Sequence, residues 1–107
     1  MFIYNVTVNV EDSIRESWLD WMQKTHIPEM LATGIFTAAR LCRVRVVEET
    51  GGTTYAVQYS ARSAAALQTY YQEHADRLQA EGQARFGERM VAFRTELELV
   101  SEHAGGA

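Results

Sequence analysis

The sequence contains few of the residues on which several protein classes depend. It has a single cysteine, Cys42, in 107 residues, so no disulfide can form within the chain. No segment reaches the roughly 18 consecutive apolar residues of a membrane-spanning helix, and the N-terminus lacks the features of a signal peptide. We therefore expect a cytoplasmic protein without a membrane partner, in which Cys42 is a small buried hydrophobic residue.

Positive charge is also scarce. Ten Lys and Arg residues stand against 14 Asp and Glu residues, which gives a net charge of −4. Since nucleic-acid binding relies on clustered positive charge, we expect no nucleic-acid partner. The histidines and the cysteine lack the spacing of a metal site, because the pair His26 and Glu29 encloses a proline, Pro28. The sequence therefore predicts no metal and specifies no cofactor, and it leaves open whether haem binds with His26 or His74 as its ligand.

The rest of the composition is that of one folded domain. Apolar residues make up 47% of the chain and charged residues 22%, as in ordinary globular proteins. We expect residues 1–101 to form this domain and the polar, glycine-rich residues 102–107 to form a flexible tail. A domain of about 100 residues buries only roughly two-thirds of its unfolded surface, so a partner subunit would add useful burial.

Alternation of apolar and polar residues predicts four strands. The clearest is the first, residues 2–10, which alternates throughout. Residues 36–49 and 53–61 are rich in β-forming residues, and Gly51-Gly52 between them predicts a hairpin turn. Residues 90–100 alternate again and form the last strand.

Two stretches with helical spacing separate these strands. The first begins at Ser13, is interrupted near Pro28, which cannot donate a backbone hydrogen bond, and ends at Gly34. The second begins at Ser63, a good N-cap residue, and continues past Leu78. The order β-α-β-β-α-β predicts an α+β, ferredoxin-like fold: a four-stranded antiparallel sheet in the order 4-1-3-2 with both helices on one face.

The first and last strands each have an apolar and a polar side. We expect their apolar sides to lie beneath the helices, which leaves the polar sides on the open face of the sheet. The residues expected there are Asn5, Thr7, Asn9, Arg94, Glu96 and Glu98, with Arg43 and Arg45 from the second strand. Two open faces packed together would form a barrel-shaped homodimer, in which the two arginines pair with Glu96 and Glu98 of a second copy. The alternative is that these charges are simply solvated.

Several short motifs together resemble a known family. They are Ile3-Tyr-Asn-Val-Thr-Val-Asn9, Trp18-Leu-x-Trp-Met22, His26-Ile-Pro-Glu29, Ala32-Thr-Gly34-x-Phe36, Gly51-Gly-Thr-Thr-Tyr55 and Phe93-Arg-Thr95. In this combination, over nearly its whole length, the chain resembles the bacterial domain-of-unknown-function family DUF4286, of the dimeric α/β-barrel superfamily. The resemblance implies a ferredoxin-like fold and a homodimer, and it transfers no catalytic residues.

His26 is the candidate catalytic residue, because it lies where Pro28 interrupts the helix and because histidine titrates near neutral pH. The alternative is a histidine that only hydrogen-bonds the carbonyls freed at the interruption. Polar and aromatic side chains that could orient or enclose a small ligand are the further candidates. The ligand-binding candidates are Asn5, His26, Gln58, Arg94 and Trp18, with Tyr4, Trp21 and Phe93 as aromatic walls that are more readily explained as core.

The sequence leaves two functions open. The first is a homodimeric α/β-barrel protein that binds a small molecule, with the further option, by resemblance to antibiotic-biosynthesis monooxygenases, of a cofactor-free enzyme. The alternative is a non-catalytic structural or protein-interaction module. A cavity between sheet and helices lined by His26 or Arg94 would favour the first function, and a filled core with both side chains satisfied by neighbours would favour the second.

Overall fold

A computed structural model describes residues 1–46 and 51–106. The strands and helices within these ranges are short and follow the predicted order. They are β1 (Phe2–Val10), α1 (Arg15–Trp21), α2 (Ile27–Ala32), β2 (Phe36–Arg43), β3 (Thr53–Ala61), α3 (Ala64–Glu73), α4 (Ala75–Phe86) and β4 (Met90–Glu98). A π-helical turn, Met22–His26, joins α1 to α2, and 3₁₀ turns at Asp12–Ile14 and Gly87–Arg89 precede α1 and β4.

The four strands form one antiparallel sheet in the order β2-β3-β1-β4. This is the predicted ferredoxin-like order, and it is confirmed. Strand β1 lies in the interior of the sheet, where Tyr4 is opposite Tyr59 of β3 and Glu96 of β4. Residues opposite each other share a face of the sheet, so this register determines which side chains of β3 and β4 lie beneath the helices.

The core lies between the sheet and the helices. On β1 and β3 the buried side chains alternate, and Tyr4, Val57 and Tyr59 are at most 2% exposed. From the helices, Trp18 is fully buried, with its ring centroid 5.0 Å from that of Tyr55. A cluster of aromatic rings with centroids 5.1–6.1 Å apart fills one end of this core; its members are Tyr4, Phe36, Tyr59 and Tyr70.

The first helical stretch is interrupted close to the predicted position. The interruption is the π-helical turn, closed by a hydrogen bond from the Ile27 N–H to the Met22 carbonyl. Pro28 lies in the first turn of α2, a position at which proline is common. The second stretch begins as predicted, with the Ala66 N–H donating to Ser63 Oγ at 3.1 Å, but it divides into α3 and α4 at His74.

The predicted orientation of β4 is wrong. Arg94 lies opposite Val6 and Glu96 opposite Tyr4, and Glu98 likewise lies on the helix side of the sheet. The open face instead carries Val91, Phe93, Thr95 and Leu97, opposite Asn9, Thr7, Asn5 and Ile3. Strand β4 is at the edge of the sheet, where the helix layer ends. Side chains on the helix side of β4 therefore reach solvent, and charged residues are tolerated there.

The predicted placement of Arg43 and Arg45 is also wrong. Arg43 is opposite Tyr55 and lies on the helix side, whereas Arg45 follows the end of β2 and is exposed. Cys42, expected to be buried, is exposed opposite Ala56 on the open face. The second strand was predicted to continue through Glu49, but β2 ends at Arg43 and residues 44–46 are not part of it. The rest of the predicted extension lies outside the described residues.

Candidate ligand-binding site

A chamber of about 50 Å³ lies inside the core, between the sheet and the helices. Side chains from β1, β3 and β4 form its floor, and side chains from the helices and the π-helical turn form its walls. Most of the lining is apolar or aromatic. The apolar and aromatic residues that line it are Tyr4, Val6, Val8, Trp18, Trp21, Met22, Met30, Val57, Tyr59, Tyr70, Leu78, Met90 and Ala92.

Three buried polar atoms belong to residues that line the chamber. They are Tyr4 Oη, Trp18 Nε1 and His26 Nδ1, and none has a hydrogen-bond partner among the residues that the structure describes. Tyr4 is 2% exposed and Trp18 is fully buried. Buried polar groups are almost always hydrogen-bonded, and leaving one unpaired costs about 1–3 kcal/mol. Three such groups around one chamber mark it as a place where an additional molecule can be bound.

Arg94 brings a positive charge to the same chamber. Burial raises the pKa of the Tyr4 hydroxyl, and the Arg94 guanidinium partly opposes this shift. Burial also raises the pKa of Tyr59 and Tyr70, again with an opposing effect of Arg94. The Tyr70 hydroxyl donates to a weak acceptor, Met30 Sδ, at 3.5 Å. At neutral pH the tyrosines are therefore neutral hydrogen-bonding groups beside one cation.

The π-helical turn places His26 at the chamber. The imidazole stacks on the indole of Trp21, with ring centroids 4.7 Å apart and planes inclined by 22°. Burial lowers the pKa of His26 to about 4; the carboxylate of Glu81 opposes this shift and Arg94 adds to it. His26 is therefore neutral at physiological pH, and one ring nitrogen donates while the other accepts. Single π-helical turns of this kind are common at functional sites.

A solvent-accessible groove of about 360 Å³ adjoins the chamber between α4 and β4. The two spaces share Gln79, Met90, Ala92 and Arg94. Asp76 and Gln83 of α4 line the groove but not the chamber. The chamber alone accommodates only a few water-sized groups, whereas the chamber and the groove together fall at the lower end of the range of ordinary small-molecule pockets, about 300–1,000 Å³.

The structure brings some of the predicted ligand-binding residues together and separates others. Trp18, His26 and Arg94 line the chamber, as do the predicted aromatic walls Tyr4 and Trp21. The other candidates do not. Asn5 and Gln58 are opposite each other on the open face, and Phe93 is on the same face, so these three point away from the chamber.

The open-face residues have contacts of their own. Asn5 Nδ2 donates to the hydroxyls of Thr7 and Thr95, each at 3.3 Å, and Asn9 Nδ2 donates to Thr54 at 3.2 Å. Gln58 accepts a hydrogen bond from Arg40 at 3.4 Å. The polar centre of the open face is thus connected by hydrogen bonds within one subunit.

Two residues of the site were not predicted. Gly82 lies on the buried side of α4, where an added Cβ would approach Trp21 and Met90, each at 3.3 Å. An isolated glycine inside a helical pattern is a signal for such close packing and could have been used. Gln79 gave no comparable signal, because its position between chamber and groove depends on the break between α3 and α4.

Within residues 1–46 and 51–106, no three His, Cys, Asp or Glu side chains lie close enough together to share a metal ion. None of the helices in the same ranges is long and apolar enough to cross a membrane.

Comparison with solved structures defines the class of fold. A dimeric ferredoxin-like protein from an uncultured marine organism is similar, with a TM-score of 0.74 and 13% identity over 95% of this chain and 97% of that one. An ethyl tert-butyl ether d (EthD) family protein from Bacillus halodurans C-125 is similar, with a TM-score of 0.67 and 11% identity over 92% of this chain and 98% of that one. At these identities the likeness shows a ferredoxin-like fold.

The family follows from the sequence itself. Residues 1–100 match the family described as a domain of unknown function, DUF4286, and the chain belongs to that family. No curated protein matches the sequence significantly.

Proposed function

We propose that this protein is a homodimeric α/β-barrel protein that binds a small organic molecule in the chamber and the adjoining groove. The observation that carries the proposal is the set of unpaired polar atoms of Tyr4, Trp18 and His26, buried around an apolar chamber. Ligand sites have this composition: mostly apolar walls with a few polar groups that fix orientation. A ligand that pairs with these atoms would recover the free energy lost by burying them alone.

The same observation disfavours the alternative of a purely structural or protein-interaction module. Such a module has no need for an internal space, and a filled core with satisfied polar groups would serve it best. In this protein His26 and Arg94 both line the chamber, and the ring nitrogen His26 Nδ1 has no partner in the described part of the chain.

The acid–base properties of His26 favour binding over catalysis. A general base acts best when its pKa lies near the working pH, and the pKa of His26 is lowered to about 4 by burial. A ligand that brings negative charge to the imidazole would raise this pKa again. A cofactor-free enzyme that used His26 as its base would need a ligand that raises the pKa of His26 in this way. Ligand binding is therefore the function that we favour.

The homodimer is supported by the open face. The β4 side chains on this face are strongly exposed: Val91 by 66%, Phe93 by 62% and Leu97 by 42%. Large apolar side chains that are grouped on a surface usually mark an interface. The similar ferredoxin-like protein from a marine organism is itself dimeric. Packing two open faces together would cover these side chains in both copies. An exposed thiol such as that of Cys42 remains reduced in the cytoplasm, where we expect the protein to act.

A thermal-shift screen of diverse small organic molecules tests the binding function. A ligand at about 100 times its dissociation constant adds about 2.7 kcal/mol to the stability, which raises the Tm of a domain this size by roughly 10 °C. The diagnostic variant is Ala92→Leu, since Ala92 lines both the chamber and the groove. The control is Ala84→Leu, because Ala84 is exposed on α4 and lines neither space.

We expect compounds that raise the Tm of the natural protein and of Ala84→Leu by similar amounts and that have a much smaller effect on Ala92→Leu. A screen in which nothing raises the Tm, or in which every active compound acts equally on Ala92→Leu, would contradict binding at this site.

A further inference from the structure

Two of the polar side chains that line the chamber can donate hydrogen bonds but cannot accept them. The indole N–H of Trp18 can only donate, and the guanidinium of Arg94 carries donors and no acceptor. The Tyr4 hydroxyl can donate as well, and its oxygen lies near the positive charge of Arg94. Of the described residues that line the chamber, Arg94 is the one with a charged side chain, and no carboxylate lines it. The chamber therefore offers two donor-only groups and one positive charge without a negative charge to match it, while Gln79, neutral His26 and the tyrosine hydroxyls can accept as well as donate.

From this imbalance, and on the basis of the proposed function, we propose that the ligand is a small apolar molecule bearing an anionic oxygen group, a carboxylate or a phenolate, which enters the chamber oxygen first. The Trp18 N–H and the Tyr4 hydroxyl donate to the oxygen atoms, and Arg94 supplies the counter-charge. Hydrogen bonds to an ionised acceptor are roughly twice as strong as those between neutral groups, and stronger still where water is excluded.

The sizes of the chamber and the groove determine which end of the ligand each of them can hold. The chamber of about 50 Å³ holds only the oxygen-bearing end, and the groove of about 360 Å³ has room for an aromatic or aliphatic body. Asp76 lines the groove, where its negative charge would repel an anionic group. Met90 and Ala92, which line both spaces, give the body of the ligand apolar contacts on β4.

Isothermal titration with matched probes tests the proposal. Benzoate and 4-nitrophenolate represent the two anionic groups, and benzamide and toluene are the neutral probes of similar shape. We expect at least one anion to bind roughly 10- to 100-fold more tightly than benzamide, the difference made by a charge-assisted interaction. The tighter of the two anions identifies the oxygen group.

Two variants test the residues. Arg94→Met should remove the preference for the anion over benzamide, whereas Arg89→Met should keep it, because Arg89 is exposed like Arg94 but lines neither space. Tyr4→Phe, which retains the ring and removes the hydroxyl, should weaken anion binding by about 10-fold or more. Tyr71→Phe is its control, since the Tyr71 hydroxyl donates to Glu96 at 3.0 Å and Tyr71 does not line the chamber.

These measurements distinguish a wrong ligand class from a protein that binds no small molecule. If neutral compounds bind and neither anion binds more tightly than benzamide, the ligand class is wrong and small-molecule binding stands. An anion preference that survives Arg94→Met also overturns the inference. If neither these probes nor the broad screen bind at all, the proposed function itself fails.

Discussion

Tyr4 shows how one residue can serve both the core and the site. Its ring packs among the rings of Phe36, Tyr59 and Tyr70, while its hydroxyl ends at the chamber without a partner among the residues described. The apolar burial of the ring stabilises the fold, and the unpaired hydroxyl opposes it by about 1–3 kcal/mol. A residue selected for stability alone at this position would be phenylalanine.

Replacing Tyr4 by Phe should therefore not destabilise the protein in the absence of ligand. We expect the free energy of unfolding, measured with urea, to be unchanged or raised by about 1 kcal/mol, because only an unpaired hydroxyl is removed. Tyr71→Phe, which deletes a formed hydrogen bond to Glu96, should lower it slightly. A loss of more than about 1 kcal/mol in Tyr4→Phe would mean that the hydroxyl is already satisfied in the folded protein.

His26 should make the stability depend on pH. Its pKa is lowered from 6.5 to about 4 in the folded protein, so the unfolded chain binds the proton more tightly. The free energy of unfolding should be at its full value above pH 6.5 and should fall toward pH 4, by up to about 1.4 kcal/mol per pH unit and about 3 kcal/mol in all.

Urea unfolding at several pH values measures this dependence. His26→Gln should remove most of the decrease between pH 6.5 and 4, whereas His74→Gln should retain it. The same slope in His26→Gln as in the natural protein would contradict the assigned pKa.

At the scale of the elements, the alternation of residues predicted the strands but not always their orientation. Alternation defines two faces and does not say which is buried. For β1 the prediction was correct because the strand is interior and its apolar side lies beneath the helices. For the edge strand β4 it was wrong, since the apolar residues Val91, Phe93 and Leu97 are on the open face. Only the register with β1 determines this orientation.

Some of the ligand-binding candidates predicted from the sequence line the chamber and others do not. Trp18 and His26 were found because a proline and an amphipathic pattern mark their helix, and both line the chamber. Asn5 and Gln58 were chosen for their polarity, but they form part of the open face. The position of a polar residue on a strand says nothing about which face a ligand uses until the helices are placed.

The loop before β3 packs against the end of β1, and this contact depends more on Gly52 than on Gly51. Gly51 and Gly52 both have positive φ values, 82° and 81°, but among the described residues a Cβ would collide at Gly52, 2.8 Å from the Val10 carbonyl oxygen, and not at Gly51. Gly51→Ala should cost about 1–2 kcal/mol of stability, the penalty of the backbone conformation alone. Gly52→Ala should cost roughly 1–3 kcal/mol more. Equal losses in urea unfolding would show that the backbone at Gly52 moves away freely.

For the whole molecule, the orientation of β4 changes the physical basis expected for the dimer. With Glu96 and Glu98 on the helix side, pairing with Arg43 and Arg45 across two open faces is no longer supported. The open face instead combines the apolar side chains of β4 with a hydrogen-bonded polar centre around Asn5. Burial of apolar surface, rather than charge pairing, would then be the main source of stability in the proposed dimer.

A charge placed on the apolar part of the open face should therefore dissociate the dimer. Phe93→Glu buries a carboxylate against a second copy, so we expect the dimer dissociation constant to rise by roughly 30-fold or more in sedimentation velocity. Arg43→Glu, on the helix side of β2, should leave it unchanged. A dimer that withstands Phe93→Glu and weakens in Arg43→Glu would locate the interface elsewhere.

If a small molecule binds at the chamber with its polar atoms on buried donors, the indole N–H of Trp18 gains a hydrogen-bond acceptor. The protein has two tryptophans, so a ¹H–¹⁵N spectrum contains two indole N–H peaks, which Trp18→Phe assigns. Titration with a compound that raises the Tm should shift the Trp18 peak downfield and slow its exchange with water, since its N–H gains an acceptor. A compound that raises the Tm while the Trp18 indole peak stays in place would show that the ligand does not bind to the donors of the chamber.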